Sequence, residues 1–144
     1  MISTNSFNIY NASAGTGKTF SLVRDYLILL FDSKNYELYK NILAITFTNK
    51  AVNEMKGRIV KYLINYSNSV DPDLIMLKEI SKKTGLSKKE IFLKSSTILK
   101  NLLKNYSAFE ISTIDKLTQK IVRNFTYELG IDSKYEVEID QNEI

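Results

Sequence analysis

The amino-acid sequence predicts an α/β fold of three layers, in which a mainly parallel sheet lies between helices. Two observations predict it. A phosphate-binding loop pattern at residues 12–19 stands between an apolar segment and an amphipathic helix, and a second apolar segment at 42–47 is again followed by a helix. Strands that alternate with helices in this way join through right-handed crossovers into a parallel sheet.

The loop pattern is G-x-x-x-x-G-K-[ST], with alanine in the first glycine position. Glycine lets the backbone curl around phosphate oxygens, while the lysine and hydroxyl groups of the pattern reach the terminal phosphates and Mg²⁺. A strand predicted at 7–11 and a helix predicted at 20–31 give the loop the context that the motif requires. The alternative is a glycine-rich turn without a ligand. The predicted nucleotide-binding residues, with Thr19 also as the Mg²⁺ ligand, are Ala12, Ser13, Ala14, Gly15, Thr16, Gly17, Lys18 and Thr19.

The remaining elements follow in order along the chain. The second apolar segment is continuous, as expected of a strand covered on both faces, and residues 49–66 show apolar side chains at helical spacing. Residues 109–112 are predicted to be a third strand, which gives way at Thr113 to a helix that ends at Gly130. The alternating pattern at 135–139 predicts a further strand.

Residues 67–107 interrupt this alternation and predict an inserted helical hairpin. Asp71 and the proline after it are typical of a helix start, and Gly85 is a typical helix end. Ser87 and Glu90 form a capping box for the second helix. Eight lysines lie between residues 78 and 104, against two glutamates. Both a surface for the phosphate backbone of nucleic acid and an ordinary solvated helix face remain open as interpretations.

The composition limits the chemistry of the chain. There is no cysteine and no histidine, which excludes disulfides, thiolate or histidine metal sites, cysteine nucleophiles and Ser/His/Asp catalysis. Phosphate binding, carboxylate chemistry and hard cations such as Mg²⁺ remain. Because there is no apolar run of membrane-spanning length and no secretion signal, we expect a soluble, cytoplasmic chain without a membrane partner.

Three segments together resemble the start of UvrD/Rep-type superfamily-one DNA helicases: residues 12–19, 42–58 and 109–140. The spelling ASAGTGKT, the helical insertion and the Thr-Ile-Asp sequence of the third segment are most similar to the RecB/AddA branch, the helicase–nucleases of recombinational repair. The resemblance implies a RecA-like P-loop NTPase motor domain that uses ATP and Mg²⁺. It also implies that residues 1–144 are the N-terminal part of the first motor domain, with 67–107 as an insertion.

The resemblance further implies how DNA is bound. Phe47, Thr48 and Asn49 stand where the family grips single-stranded DNA, and Thr113 stands in the motif that follows. An aromatic ring at a strand end offers a face on which any base can stack, and polar groups at helix N-termini hold phosphates without reading sequence. Each residue also has a structural alternative: Phe47 as a core residue, Asn49 as a helix N-cap and Thr113 as the cap of its own helix.

Several parts of the family's motor are missing from this sequence: the adenine-reading glutamine before the loop, the Asp-Glu motif that holds Mg²⁺ and orients water, the second motor domain and any nuclease domain. We therefore expect an N-terminal fragment of an ATP-dependent DNA helicase or helicase–nuclease, inactive by itself, whose full-length form pairs with a second helicase or nuclease subunit. One alternative is a stand-alone, non-hydrolysing module that binds nucleotide or single-stranded DNA. Another is a small nucleotide-dependent switch, suggested by the sequence Asn49-Lys50.

Overall fold

The structure is a computed structural model that describes residues 17–70, 73–128 and 130. Two short 3₁₀ turns, Leu38–Asn41 and Tyr106–Ala108, precede the two strands of this part of the chain. The helices and strands in chain order are α1 (Lys18–Asp32), β1 (Ala44–Thr46), α2 (Asn49–Ser67), α3 (Leu74–Thr84), α4 (Lys88–Lys104), β2 (Ile111–Thr113) and α5 (Ile114–Asn124).

Strands β1 and β2 pair in parallel, with Ala44 opposite Ile111 and Thr46 opposite Thr113. The predicted parallel pairing is therefore confirmed, although the sheet is smaller than expected. Over the described residues the fold is mostly helical around a sheet of two strands, each of three residues, rather than three full layers. The strands predicted at 7–11 and 135–139 lie outside the described residues.

The two strands differ in burial. All three residues of β2 are buried, because α2 and α5 pack against this strand. In and beside β1, by contrast, Leu43 is 48% and Ile45 is 44% exposed. Burial on both faces, which the continuous apolar run predicts, is therefore not seen for β1 among the described residues.

The hydrophobic core lies between the helices rather than on the sheet. Helix α1 packs against α2 and α3, and α2 packs against α4. Each of these helices buries apolar side chains at three- and four-residue spacing, as an amphipathic helix on a core does. The buried apolar residues are Val23, Tyr26, Leu27, Leu30, Phe31, Tyr39, Met55, Ile59, Leu63, Tyr66, Met76, Leu77, Ile80, Ile91, Ile98, Leu102, Phe109 and Ile111.

The hairpin consists of α3 and α4, and its turn follows the sequence signals. Gly85 ends α3 in the left-handed conformation, at φ +70°, and its N–H group donates to the carbonyl oxygen of Ser81 at 2.8 Å. Ser87 and Glu90 form the predicted capping box of α4. The start of α3 differs, because Asp73 caps it through hydrogen bonds from two backbone N–H groups. The predicted cap at Asp71 lies outside the described residues.

Helix α5 is shorter than its sequence pattern suggests. It ends at Asn124, where the N–H group of Phe125 donates to the carbonyl oxygens of Ile121 and Val122. The stop predicted at Gly130 is therefore wrong, although Gly130 does have a left-handed φ of +64°. Among the described helices, none combines the length and the apolar character that a membrane span requires.

Two polar contacts fasten the hairpin to the rest of the core. The Lys94 ammonium group donates to the carbonyl oxygens of Phe31 at 2.7 Å and Ser33 at 3.2 Å, at the C-terminus of α1. A cation is favourable there because the last carbonyl groups of a helix carry partial negative charge. The Tyr39 hydroxyl group donates to the carbonyl oxygen of Asn101 at 2.9 Å. The hairpin therefore holds the end of α1 that is opposite to Lys18.

A pair of neighbouring substitutions tests the core. Leu63 is fully buried in α2, whereas Ile64 is 42% exposed. We expect Leu63→Ala to lower the free energy of unfolding by about 2–5 kcal/mol, because a cavity is added to the lost burial. Ile64→Ala is expected to change it by less than about 0.5 kcal/mol. Urea denaturation measures both, and equal losses in the two variants would contradict this packing of α2.

Candidate nucleotide cleft and DNA-binding edge

The N-terminus of α1 has the backbone of a phosphate-binding loop. Gly17, which precedes the helix, has φ +81°, a left-handed conformation that favours glycine. Its carbonyl oxygen accepts the N–H group of Ser21 at 2.9 Å, so the helix begins directly after it. No side chain caps this end of α1 within the described residues, and no acidic residue lies in its first turn. Its N–H groups are therefore suited to an anion.

Lys18 and Thr19 are the first two residues of α1. Lys18 is exposed and Thr19 is half-buried. A Cβ atom built on Gly17 would meet no atom within 4 Å, so open space adjoins the loop. This space, the ammonium group and the hydroxyl group together fit a nucleotide phosphate with Mg²⁺. The other predicted members of the loop, Ala12, Ser13, Ala14, Gly15 and Thr16, lie outside the described residues.

Helix α2 forms the opposite wall of this cleft. A cavity of about 380 Å³ is lined by residues 17–20 on one side and by Glu54 and Arg58 on the other. The Arg58 guanidinium group and the Glu54 carboxylate form an ion pair at 2.6 Å, and both side chains are nearly half exposed. Sequence analysis did not select these two residues, although their spacing of four on a predicted helix was a usable signal.

Phe47 lies between β1 and α2 and is 86% exposed. Its interpretation as a core residue is therefore wrong. Thr48 is the N-cap of α2, and its Oγ1 atom accepts the N–H group of Ala51 at 3.1 Å. Asn49, the first residue of the helix, is exposed and is not the N-cap. The structure thus presents an aromatic ring and an amide side chain to solvent beside a helix N-terminus.

Thr113 has a different environment. It is only 4% exposed, and its Oγ1 atom accepts the N–H group of Lys116 at 3.3 Å, which makes it the N-cap of α5. Its structural alternative therefore describes the side chain in this structure. Thr113 pairs with Thr46 across the sheet, one residue before Phe47. The two candidate DNA-binding segments thus lie at the carboxyl ends of adjacent parallel strands, where ligands bind in α/β sheets.

One helix connects the cleft with this edge. Asn49 is the first residue of α2, and Glu54 in the cleft wall lies five residues later, a rise of about 7.5 Å along a helix. Phosphate candidates and DNA candidates therefore lie on the same side of the domain, around the first two turns of α2.

Comparison with known proteins gives the family of the chain. Residues 2–143 match the UvrD/REP helicase N-terminal domain. The RecBCD enzyme subunit RecB of Borreliella burgdorferi is 36% identical over 89% of this chain and 10% of its own length. The RecB subunit of Buchnera aphidicola is 32% identical over 99% of the chain and 12% of its own length. An ATP-dependent helicase/nuclease subunit of Natranaerobius thermophilus is 31% identical over 91% and 9%.

The chain spans about a tenth of the length of these curated relatives. No solved structure matches it significantly. The family match covers nearly the whole chain and includes both the phosphate loop and the segment around Phe47. The chain therefore belongs to the UvrD/REP helicase N-terminal domain family, with RecB proteins and ATP-dependent helicase/nuclease subunits among its homologues.

Proposed function

We propose that this chain is the N-terminal, ATP-binding part of the first motor domain of an ATP-dependent DNA helicase or helicase–nuclease. One observation carries the proposal: the first turns of α2 join a cleft that contains Lys18 to an exposed aromatic ring, Phe47. A motor on DNA needs this pairing of a nucleotide site with a base-stacking site. The names of the relatives, RecB of the RecBCD enzyme and ATP-dependent helicase/nuclease, support the same assignment.

In the nucleotide half of the proposal, residues 12–19 hold the phosphates of ATP. The backbone of the loop and the N-terminus of α1 supply N–H donors, Lys18 supplies a positive charge to the terminal phosphates, and Thr19 ligates Mg²⁺. Arg58, from the opposite wall of the cleft, is a further cation close to the same space. Its ion pair with Glu54 orients the guanidinium group toward the cleft wall before nucleotide binds.

In the DNA half, Phe47 stacks on a base of single-stranded DNA. Thr48 and Asn49 hold the adjacent phosphate at the N-terminus of α2, where backbone N–H groups also face outward. Thr113 acts at the neighbouring strand end. Because its side chain is buried, we assign it to ordering the N-terminus of α5, whose backbone then faces the DNA. Such contacts hold DNA without selecting its sequence.

Helix α2 is the proposed connection between ATP and DNA. Nucleotide in the cleft touches the α2 wall at Glu54 and Arg58, while the segment that binds DNA continues directly into the start of the same helix. A small displacement of α2 caused by the γ-phosphate therefore moves Phe47 as well. In the full-length protein this displacement contributes to translocation, and a second helicase or nuclease subunit completes the complex.

The Phe47→Ala change tests the stacking contact. We expect it to weaken binding of a single-stranded oligonucleotide by about 1–3 kcal/mol, the usual contribution of a stacked base. Stability should not change, because the ring is 86% exposed. Tyr127, which is 94% exposed, gives the matched control, and Tyr127→Ala should leave affinity unchanged. Fluorescence anisotropy measures both, and unchanged affinity in a folded Phe47→Ala protein would reject the stacking role.

The Lys18→Ala change tests the nucleotide site. We expect the 144-residue chain to bind Mg-ATP weakly and to hydrolyse little or none of it, because an arginine finger alone contributes about 10³–10⁵ in rate and the second motor domain supplies it. Lys18→Ala should abolish the binding of a fluorescent ATP analogue, whereas Lys34→Ala, at an exposed lysine beyond α1, should not. Robust phosphate release that Lys18→Ala removes would show that the chain contains a complete active site.

A further inference from the structure

The α3–α4 hairpin holds the excess positive charge of the chain. Residues 73–104 contain eight lysines and three acidic residues, a formal charge of +5, whereas the rest of the chain contains 12 basic and 13 acidic residues. A general preference of the organism for lysine would affect the whole chain equally, and the remainder is close to neutral. The lysine excess is therefore a property of this hairpin.

Four lysines flank the turn between the two helices, and we refer to them as the hairpin tip: Lys82, Lys83, Lys88 and Lys89. The first two lie in the last turn of α3 and the other two in the first turn of α4. All four residues are exposed. No acidic residue occurs between Glu79 and Glu90. Both ends of the three-residue turn therefore present lysines to solvent.

Helix electrostatics do not explain the lysines at the start of α4. The N-terminus of a helix carries partial positive charge, so a cation in the first turn is unfavourable by a few tenths of a kcal/mol or more. Lys88 recovers part of this cost, because its Nζ atom lies 5.4 Å from the centroid of the Phe92 ring. Lys89 opposes the same local preference, and a residue that does so without an evident structural gain indicates a functional site.

The nearest carboxylate is already engaged in the turn. An oxygen of Glu90 accepts hydrogen bonds from the backbone N–H group of Ser87 at 2.8 Å and from its hydroxyl group at 2.6 Å. These two bonds, from the side chain first and then from the backbone, lower the pKa of Glu90. Glu90 therefore stays ionised as part of the cap. No ion pair within 4 Å between it and Lys82, Lys83 or Lys89 is seen in the described structure.

The hairpin tip is distant from the cleft and from Phe47. Lys94, which follows the tip on α4, contacts the C-terminal end of α1, whereas Lys18 is at its N-terminal end. A helix of 15 residues is about 22 Å long. A ligand at the tip therefore does not share contacts with the proposed nucleotide and single-strand sites.

We propose that the hairpin tip is a second nucleic-acid surface, which binds the phosphate backbone of duplex DNA without reading its sequence. Duplex DNA carries about one negative charge per 1.7 Å of helix axis, a density that clustered lysines complement. Residues 82–89 include no aromatic residue on which an unpaired base would stack. The hairpin also contains no arginine, the residue most used for bidentate contacts to guanine. This inference does not depend on the proposed function.

The experiment compares two triple variants of the 144-residue chain that remove equal charge. One is Lys82→Gln/Lys83→Gln/Lys89→Gln at the tip. The other is Lys34→Gln/Lys61→Gln/Lys116→Gln, at three lysines that are exposed elsewhere. The probe is a fluorescein-labelled duplex, and its anisotropy is followed over a series of salt concentrations. The tip variant should bind at least about tenfold more weakly, with a salt slope smaller by about 2–3, since each phosphate contact contributes about 0.9.

Equal losses of affinity in the two triple variants would overturn the proposal, because only net charge would then matter. Lys82→Arg/Lys83→Arg/Lys89→Arg, which keeps the charge, should retain duplex binding and excludes misfolding as the cause. Vesicles with phosphatidylserine provide another arm. A tip variant that loses vesicle binding but keeps duplex affinity would assign the tip to a membrane surface instead. Phe47→Ala should leave duplex binding unchanged, so failure of the single-strand site and failure of the tip are distinguishable.

Discussion

The structure depends above all on the burial of one face of α2. This helix contacts α1, α4 and both strands, and four of its side chains are buried: Met55, Ile59, Leu63 and Tyr66. The sheet is too small to organise a core, since each strand has three residues. Apolar burial along a helix of 19 residues supplies the order that a larger sheet would provide. The same helix presents Glu54 and Arg58 to the cleft on its exposed side, so core packing and site geometry are linked.

Local signals predicted the helices well because each signal acts within a few residues. Gly85 ends α3 through its positive φ, and the Ser87–Glu90 capping box starts α4, so both follow from backbone chemistry alone. The parallel pairing of the two strands was also predictable from the alternation of elements. Strand burial was not, because an apolar run shows only that a segment prefers burial. Whether neighbours cover Ile45 depends on tertiary packing.

The candidate site shows the same division. The sequence identifies Lys18, Thr19 and Phe47 by residue type and order, and the structure adds where they lie. That Thr48 rather than Asn49 caps α2 could not be decided, because both residues are good N-caps and the first helical residue sets the choice. The pairing of Arg58 with Glu54 across the cleft from Lys18 depends on how α1 and α2 pack, which no local pattern encodes.

The contact between Lys94 and the C-terminus of α1 gives the two ends of this helix unequal freedom. At one end the ammonium group is bonded to two carbonyl oxygens of the chain, and at the other the first N–H groups lack a side-chain cap. Fraying therefore begins at Lys18 and stops short of Phe31. In hydrogen-exchange terms, the amides of α1 form a gradient, with protection rising toward the hairpin. A phosphate at the open end removes that gradient, so nucleotide binding completes the helix instead of displacing it.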